Sequence, residues 1–509
     1  MKRDDYISVN GYILDKEQKE VVLSNFKNIL VIAGAGCGKS LTIVGKIKYL
    51  IENNIVKSEE ILCISFTNAS CESLKNSINK NNINVDVMTF HRLSLNILKL
   101  NNINVSIVPS SYLDDIIDSF FYNDIYNNLN YILFVLKYYK IGFSKNNYIK
   151  KYEEILKSNK IISLKKIIST FIKLFKSSNY NYSYLEKIIN KTNNFINRKY
   201  MYLMFIIVKI MNEYQNELKT NSLVDFDDMI ILATKLISET NDLKYKYIII
   251  DEFQDTSILR YNLIYEILKK TNSNFLAVGD DYQSIYRFTG CDLSLFINFK
   301  KYFSHSKIYK IQTTYRNSKE LIKICGNFIK KNQIQIRKKL ISNKSLNKPI
   351  KIIYYNNQAY IFNKLIEYLY KNNKKNLLLL VRNNNDIKEI LGSKYTLEKD
   401  TIKHYKYNDL IIKFLTVHKS KGLEADTVII LSLINDIWGF PNKIKDEKIL
   451  KYVLPKKEKY KYAEERRLFY VALTRTKNEV YLLVNKKLPS IFVKEILKIS
   501  KNQIEIKNV

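Results

Sequence analysis

Residues 33–40, Ala33-Gly34-Ala35-Gly36-Cys37-Gly38-Lys39-Ser40, join three glycines to a lysine and a hydroxyl. They follow an apolar run at 28–33 and precede a helical pattern from Leu41 onward. That is the setting of a phosphate-binding loop, in which backbone N–H groups at a helix N-terminus cradle anionic oxygens. Lys39 would reach the β- and γ-phosphates, and Ser40 would ligate Mg²⁺. The first position is Ala33 instead of glycine, a departure from the strict pattern. A second constellation, Asp251-Glu252, ends the apolar run at 247–250. There Asp251 would hold Mg²⁺ and Glu252 would position or deprotonate an attacking water. Alone, such a pair is more often a solvated helix cap. Together with the glycine-rich loop it points to hydrolysis of a nucleotide.

A third block spans residues 278–290. Gln283 lies just past a strand end, where it would sense a γ-phosphate. Tyr286 and Phe288 flank Arg287. Aromatics so placed either stack on the bases of a single strand or belong to the core, and spacing alone leaves both readings open. Three further blocks, at 314–318, 415–424 and 464–475, set polar or Arg-bearing turns beside apolar structure.

These groups need strand ends to hold them. Short apolar runs at 28–33, 61–66, 85–89, 247–251 and 275–279 fit strands buried on both faces of a parallel sheet. A second series falls at 309–313, 351–355, 376–381, 412–416, 427–431 and 480–484. The pattern predicts two α/β domains in tandem. Between about 92 and 221 the chain turns to Asn, Tyr, Ile and Lys with helical periodicity, which predicts a helical insertion into the first domain.

Composition narrows the class. The 509 residues carry 83 Lys+Arg against 49 Asp+Glu, a net charge of +34. Clustered cations attract phosphate backbones, although Lys and Asn are abundant throughout this chain. The 13% aromatic content argues against general disorder. Five scattered Cys and four isolated His make a disulfide scaffold or a Cys/His metal site unexpected. Residues 1–6 lack the apolar core of a signal peptide, and the most apolar stretch, 201–211, is interrupted by Lys209. An intracellular, cytoplasmic protein without a membrane partner is expected.

In order, these blocks resemble the motif set of the UvrD/Rep-type superfamily 1A DNA helicases. Residues 14–18 look like the Q motif, 64–68 like motif Ia and 89–92 like motif Ib. The wording at 286–290 and 313–316 is most similar to the DNA helicase IV branch. The resemblance implies two RecA-like domains with ATP between them. The first would hold residues 1–91 and 222–305, the helical insertion 92–221, and the second domain 306–509. The interval 382–411 is too short for the accessory domain, 2B, that longer relatives insert there. The chain also starts close to the Q motif, so the long amino-terminal region of the helicase IV branch is expected to be missing.

By matching position, the phosphates go to residues 33–40, Gln18 reads the adenine, Tyr315 stacks on it and Glu424 meets the ribose. Arg316 and Arg475 become arginine fingers. Phe66, Asn68, His91, Tyr286, Phe288, Thr416 and His418 match single-strand contacts. Thr289 stands where many relatives carry Arg, a mark shared with the helicase IV branch. The activity implied is an ATP- and Mg²⁺-dependent 3′→5′ DNA helicase or translocase on single-stranded or partial-duplex DNA. Two alternatives stand beside it: an ATPase that translocates or strips proteins without unwinding, and a non-catalytic DNA-binding subunit. The intact set Lys39, Asp251, Glu252, Gln283, Arg316 and Arg475 speaks against the second.

Overall fold

The computed structural model describes residues 8–194 and 196–507; residues 1–6, read above for a leader, lie outside them. The first sheet contains β1 (Asn28–Ala33), β2 (Ile61–Ile64), β3 (Asp86–Met88), β4 (Tyr247–Ile250), β5 (Asn274–Gly279) and β6 (Ser306–Ile311). Every pairing is parallel, in the order β6-β1-β5-β4-β2-β3. Side chains alternate between faces along a strand, and here both faces are covered. In β1, Ile29, Val31 and Ala33 enter one core while Leu30 and Ile32 enter the other. Tyr247 and Ile249 of β4 divide from Ile248 and Ile250 in the same way. This double burial explains why the strands read as unbroken apolar runs.

The second sheet contains β7 (Ile350–Tyr355), β8 (Asn376–Val381), β9 (Tyr395–Glu398), β10 (Thr401–His404), β11 (Ile411–Thr416), β12 (Ala425–Leu433), β13 (Thr476–Asn485) and β14 (Ile504–Ile506). Its order is β9-β10-β11-β8-β12-β13-β7-β14. It is parallel except where β9 and β10 join β11. Leu378 and Leu380 of β8 face one core, and Leu377, Leu379 and Val381 the other. The protein is therefore an α/β chain with two RecA-like parallel sheets.

Two expected boundaries shift. The strand read at 309–313 as the start of the second domain is β6, which pairs with β1 and sets Ile311 beside Ala33. It completes the first sheet. Apolar content marks a strand, not which of two similar sheets it joins. The boundary at 91/92 falls inside the helix Phe90–Leu100, whose Phe90, Leu93 and Ile97 pack in the first-domain core. In the interval 382–411 the hairpin β9–β10 widens the second sheet, with Tyr395 and Ile402 buried in its core.

Among the described residues, 112–220 form six α-helices with a core of their own, among them α1 (Asn159–Ser177) and α2 (Arg198–Thr220). The two ends of this insertion are tied by a short parallel pairing of Ser106–Ile107 with Leu223–Val224. Ile449 and Val453, which lie between β12 and β13 in sequence, also enter this helical core. Among the described residues, no helix is long and apolar enough to cross a membrane.

Candidate active site

The loop after β1 is shaped for an anion. Gly36 and Gly38 have φ of 73° and 74°, the left-handed region that disfavours a side chain. A Cβ at Gly36 would stand 2.5 Å from Arg316 Cβ, and one at Gly38 would stand 2.6 Å from Gln18 Nε2. Gly38 begins the helix Lys39–Glu52 without any side-chain cap, so N–H groups of its first turn remain open to a ligand. Ser40 is exposed beside them. Gln18 is fully buried at the third position of a helix capped by Asp15. Its Oε1 accepts from Asp15 N at 3.0 Å and its Nε2 donates to Cys37 O at 3.2 Å. The Q-motif glutamine thus holds the loop itself.

Lys39 Nζ lies 2.5 Å from Glu252 Oε1. Glu252 follows β4 with φ of 55°, a left-handed conformation costing a non-glycine residue about 1–3 kcal/mol. Burial pushes its carboxyl up, but the ammonium groups of Lys39 and Lys421 outweigh burial and hold it below the ordinary carboxylate range. Burial, and then the neighbouring Glu252 charge, raise Asp251 to about 6. Gln254 Nε2 donates to Glu252 Oε2 at 2.6 Å, while its Oε1 accepts from Asp280 N at 2.9 Å. Asp280 Oδ2 accepts from Gln283 Nε2 at 2.7 Å. A magnesium nucleotide fits this donor set: an uncapped glycine cradle, one lysine, one exposed hydroxyl and the paired carboxylates Asp251 and Glu252 at the end of β4.

The second domain closes the far side. Arg475 is 1% exposed, and its Nη2 donates to Gln283 Oε1 at 2.9 Å. Burial, then the nearby Arg316, lower its pKa to about 9. Arg316 Nε donates to Glu424 Oε2 at 2.7 Å, so the residue expected at the ribose holds a proposed finger. Tyr315 N donates to Gly36 O at 3.0 Å, and Thr314 Oγ1 donates to Ala35 O at 2.7 Å. Tyr315 is 59% exposed beside the loop, with its OH donating to Asp15 Oδ2. The segment that follows β6 therefore packs on the glycine loop, and Arg475 of the second domain reaches Gln283 beside it.

The residues matched to strand contacts divide by exposure. Phe288 is 49% exposed, with its ring 5.4 Å edge-on from His418. Tyr286 is half-buried against the second-domain core, and its OH donates to His418 O at 2.8 Å. Of the two readings left open, Tyr286 leans on the core and Phe288 faces outward. Phe66 packs 5.3 Å from Phe90 under the guanidinium of Arg260, and His91 lies 4.8 Å from Phe226. Asn68 is exposed at the start of the helix Asn68–Asn79, and Thr416 ends β11 half-buried. Burial lowers His418 to about 4, with Arg382 adding to it, and lowers His91 to about 4, with Arg260 adding to it. Both rings are neutral at pH 7.

Residues 14–304 match the UvrD/REP helicase N-terminal domain, and residues 385–487 match the UvrD-like helicase C-terminal domain. The chain belongs to the UvrD/Rep helicase family. Among relatives of this UvrD-like chain, the DNA helicase IV of Escherichia coli (strain K12) is 28% identical over 97% of the chain and 71% of that protein. A probable DNA helicase II homolog of Mycoplasma capricolum is 29% identical over 66% of the chain and 44% of its own length. The ATP-dependent DNA helicase Rep of Buchnera aphidicola (subsp. Baizongia pistaciae) is 28% identical over 67% and 46%. The chain spans under half the length of the latter two. It is an ATP-binding, DNA-binding enzyme of the helicase class.

Three groups of this UvrD-like site escape sequence reasoning. Lys421 pairs with Asp255 and stands 3.4 Å from Glu252 Oε2, and it donates to Gln283 O at 2.9 Å. It lies in the 415–424 block, yet nothing local says that a second-domain lysine reaches first-domain carboxylates. Lys338 is buried between Asp280 and Asp281, 3.7 Å over the Tyr282 ring. It comes from a Lys-rich loop without a motif. Gln254 was visible beside the acid pair, but its bridge to Asp280 depends on β4 and β5 being neighbours.

Proposed function

We propose that the chain is an ATP-dependent DNA helicase that translocates 3′→5′ on single-stranded DNA, loading from single-stranded or partial-duplex substrates in the cytoplasm. One observation carries this reading. An unbroken polar chain runs from Lys39 through Glu252, Gln254, Asp280 and Gln283 to Arg475, linking the phosphate loop to the second domain. The outward-facing Phe288 lies five residues beyond Gln283 on the same segment.

With ATP in the cleft, Lys39 exchanges Glu252 for the phosphates and the carboxylate becomes free to orient water. Water oxygen attacks the γ-phosphorus, the bond to the β-phosphate oxygen breaks, and the water proton passes to Glu252. Magnesium, held by Ser40 and Asp251, would neutralise charge on the phosphates. Arg316 and Arg475 meet the developing charge from the second domain, so hydrolysis is fastest when the cleft is closed. Gln283 and Arg475 then pass the nucleotide state to the segment that carries Phe288. The 3′→5′ direction rests on likeness to the family and not on a residue.

The alternative, translocation without strand separation, draws on the interval 382–411, which adds a hairpin to the sheet and no separate domain. Two assays distinguish the readings. ATP turnover is measured with and without single-stranded DNA, then with RNA. Unwinding is measured on duplexes with a 3′ or a 5′ tail. Strand-stimulated turnover with unwinding of the 3′-tailed duplex alone is expected. Stimulation without unwinding leaves the translocase, and no stimulation by any strand removes both.

A further inference from the structure

Between β12 and the helix Ala463–Leu473 the chain leaves the second domain and crosses to the helical insertion. Ile449 and Val453 are fully buried in the helical core. Ser178 Oγ donates to Val453 O at 3.0 Å, and Tyr184 OH donates to Tyr452 O at 2.8 Å. The segment is therefore a strap pinned at its middle. Seven lysines fall within residues 445–461, all exposed. The chain is rich in lysine throughout, so number alone proves little. What separates this strap is the fate of its carboxylates. Of the three acids within 445–461, Asp446 is taken by Arg287 at 2.6 Å and Glu458 by Arg467 at 2.5 Å, while Glu447 stays exposed at the groove. Among the described residues, Lys445, Lys448, Lys451 and Lys456 form no ion pair. With Arg287, Leu454 and Pro455 they line a groove of about 450 Å³. Arg287, which lines the groove, immediately precedes the exposed Phe288 in the chain.

We propose that this strap is a second grip on the nucleic acid, binding the phosphodiester backbone through Lys445, Lys448, Lys451 and Lys456 beside the Phe288 stacking face; the inference rests on the helicase reading above. The pairs with Arg287 and Arg467 neutralise two of the strap's three acids and leave the ammonium groups facing solvent, in excess over the one exposed carboxylate, Glu447. The apolar pin fixes the backbone, so little ordering is needed when phosphates arrive. The strap joins both domains' elements, and a backbone held there would be gripped by the second domain and the helical insertion together. Phosphates of the single strand and of the duplex ahead share this chemistry.

The test uses the full chain with a fluorescent oligo-dT and with a 3′-tailed duplex, titrated at several salt concentrations. The variant Lys445→Gln/Lys448→Gln/Lys451→Gln/Lys456→Gln is compared with the corresponding four-fold Lys→Arg variant. Each lost single-strand phosphate contact flattens the slope of log affinity against log salt by about 0.7. The Gln variant should lose roughly 2–3 from that slope and at least ~10-fold in affinity at low salt. The Arg variant should match wild type, and both should melt as wild type does. Loss on oligo-dT assigns the single strand, and loss on the tailed duplex alone assigns the duplex. An unchanged slope and affinity in the Gln variant, with wild type binding normally, overturns the strap and spares the helicase reading. Equal loss in the Arg variant also overturns it. A wild-type chain that binds neither probe overturns both.

Discussion

At the scale of single residues, the site is defined by side chains already paired with one another. Glu252 is ionised, strained and clamped by Lys39 and Lys421. Replacing it with Gln keeps the shape and removes the proton acceptor. Glu252→Gln should bind ATP and hydrolyse it at least ~100-fold more slowly, the scale of a lost general base. Single-turnover kinetics beside nucleotide binding check this, and near-normal turnover would remove Glu252 from the role. Phe288 gives a second residue-scale outcome. Its half-exposed ring supports little of the core, so Phe288→Ala should leave the melting temperature unchanged. Loss of one base stack should weaken single-strand binding by roughly 1–3 kcal/mol. A large fall in melting temperature with unchanged affinity would return the residue to the core.

At the scale of elements, what could be read early is what local chemistry dictates. The glycine loop, the acid pair and the doubly buried strands each declare themselves within a few residues, because backbone φ, charge and burial act locally. Partnership is different. Nothing in the apolar run of β6 says that it pairs with β1, since any doubly buried strand satisfies either sheet. Lys338 and Lys421 are invisible for the same reason: a lysine's meaning depends on carboxylates brought near by β4 and β5. Lys46 is a further example. It is 1% exposed within the helix Lys39–Glu52, donating to Val22 O at 2.9 Å and to Ser24 O. Burial lowers its pKa from 10.5 to about 7. Between those values the unfolded chain binds the extra proton and the folded chain does not, so stability rises with pH across that window. Wild type should gain roughly 2 kcal/mol more than Lys46→Met between about pH 7 and 9. Denaturant melts of the two proteins across that range test it, and parallel pH profiles would refute it.

At the scale of the whole molecule, the two sheets touch through the polar cleft, while the strap ties the second domain to the helical insertion through an apolar pin. The cleft contacts must break and re-form if nucleotide drives motion. The pin has no such need: Ile449 and Val453 are sealed among helices that include α1 and α2. Cleft motion should therefore swing about a fixed attachment, and the pin should serve coupling as well as stability. Ile449→Ala/Val453→Ala removes buried methyl groups, and the Ile change alone should cost about 2–5 kcal/mol. Ile172→Ala, in the same core but on α1 instead of the strap, provides the comparison, matched to the strap variant by its measured loss of stability. Both should lower the melting temperature. Only the strap variant should lose strand stimulation of ATP turnover, by several-fold, with nucleotide affinity retained. Equal stimulation in the two variants would make the pin structural alone. Loss in both would trace the effect to a weakened helical core and not to the strap. The contrast works because both variants cut the same apolar cluster, while only one of them loosens the second domain.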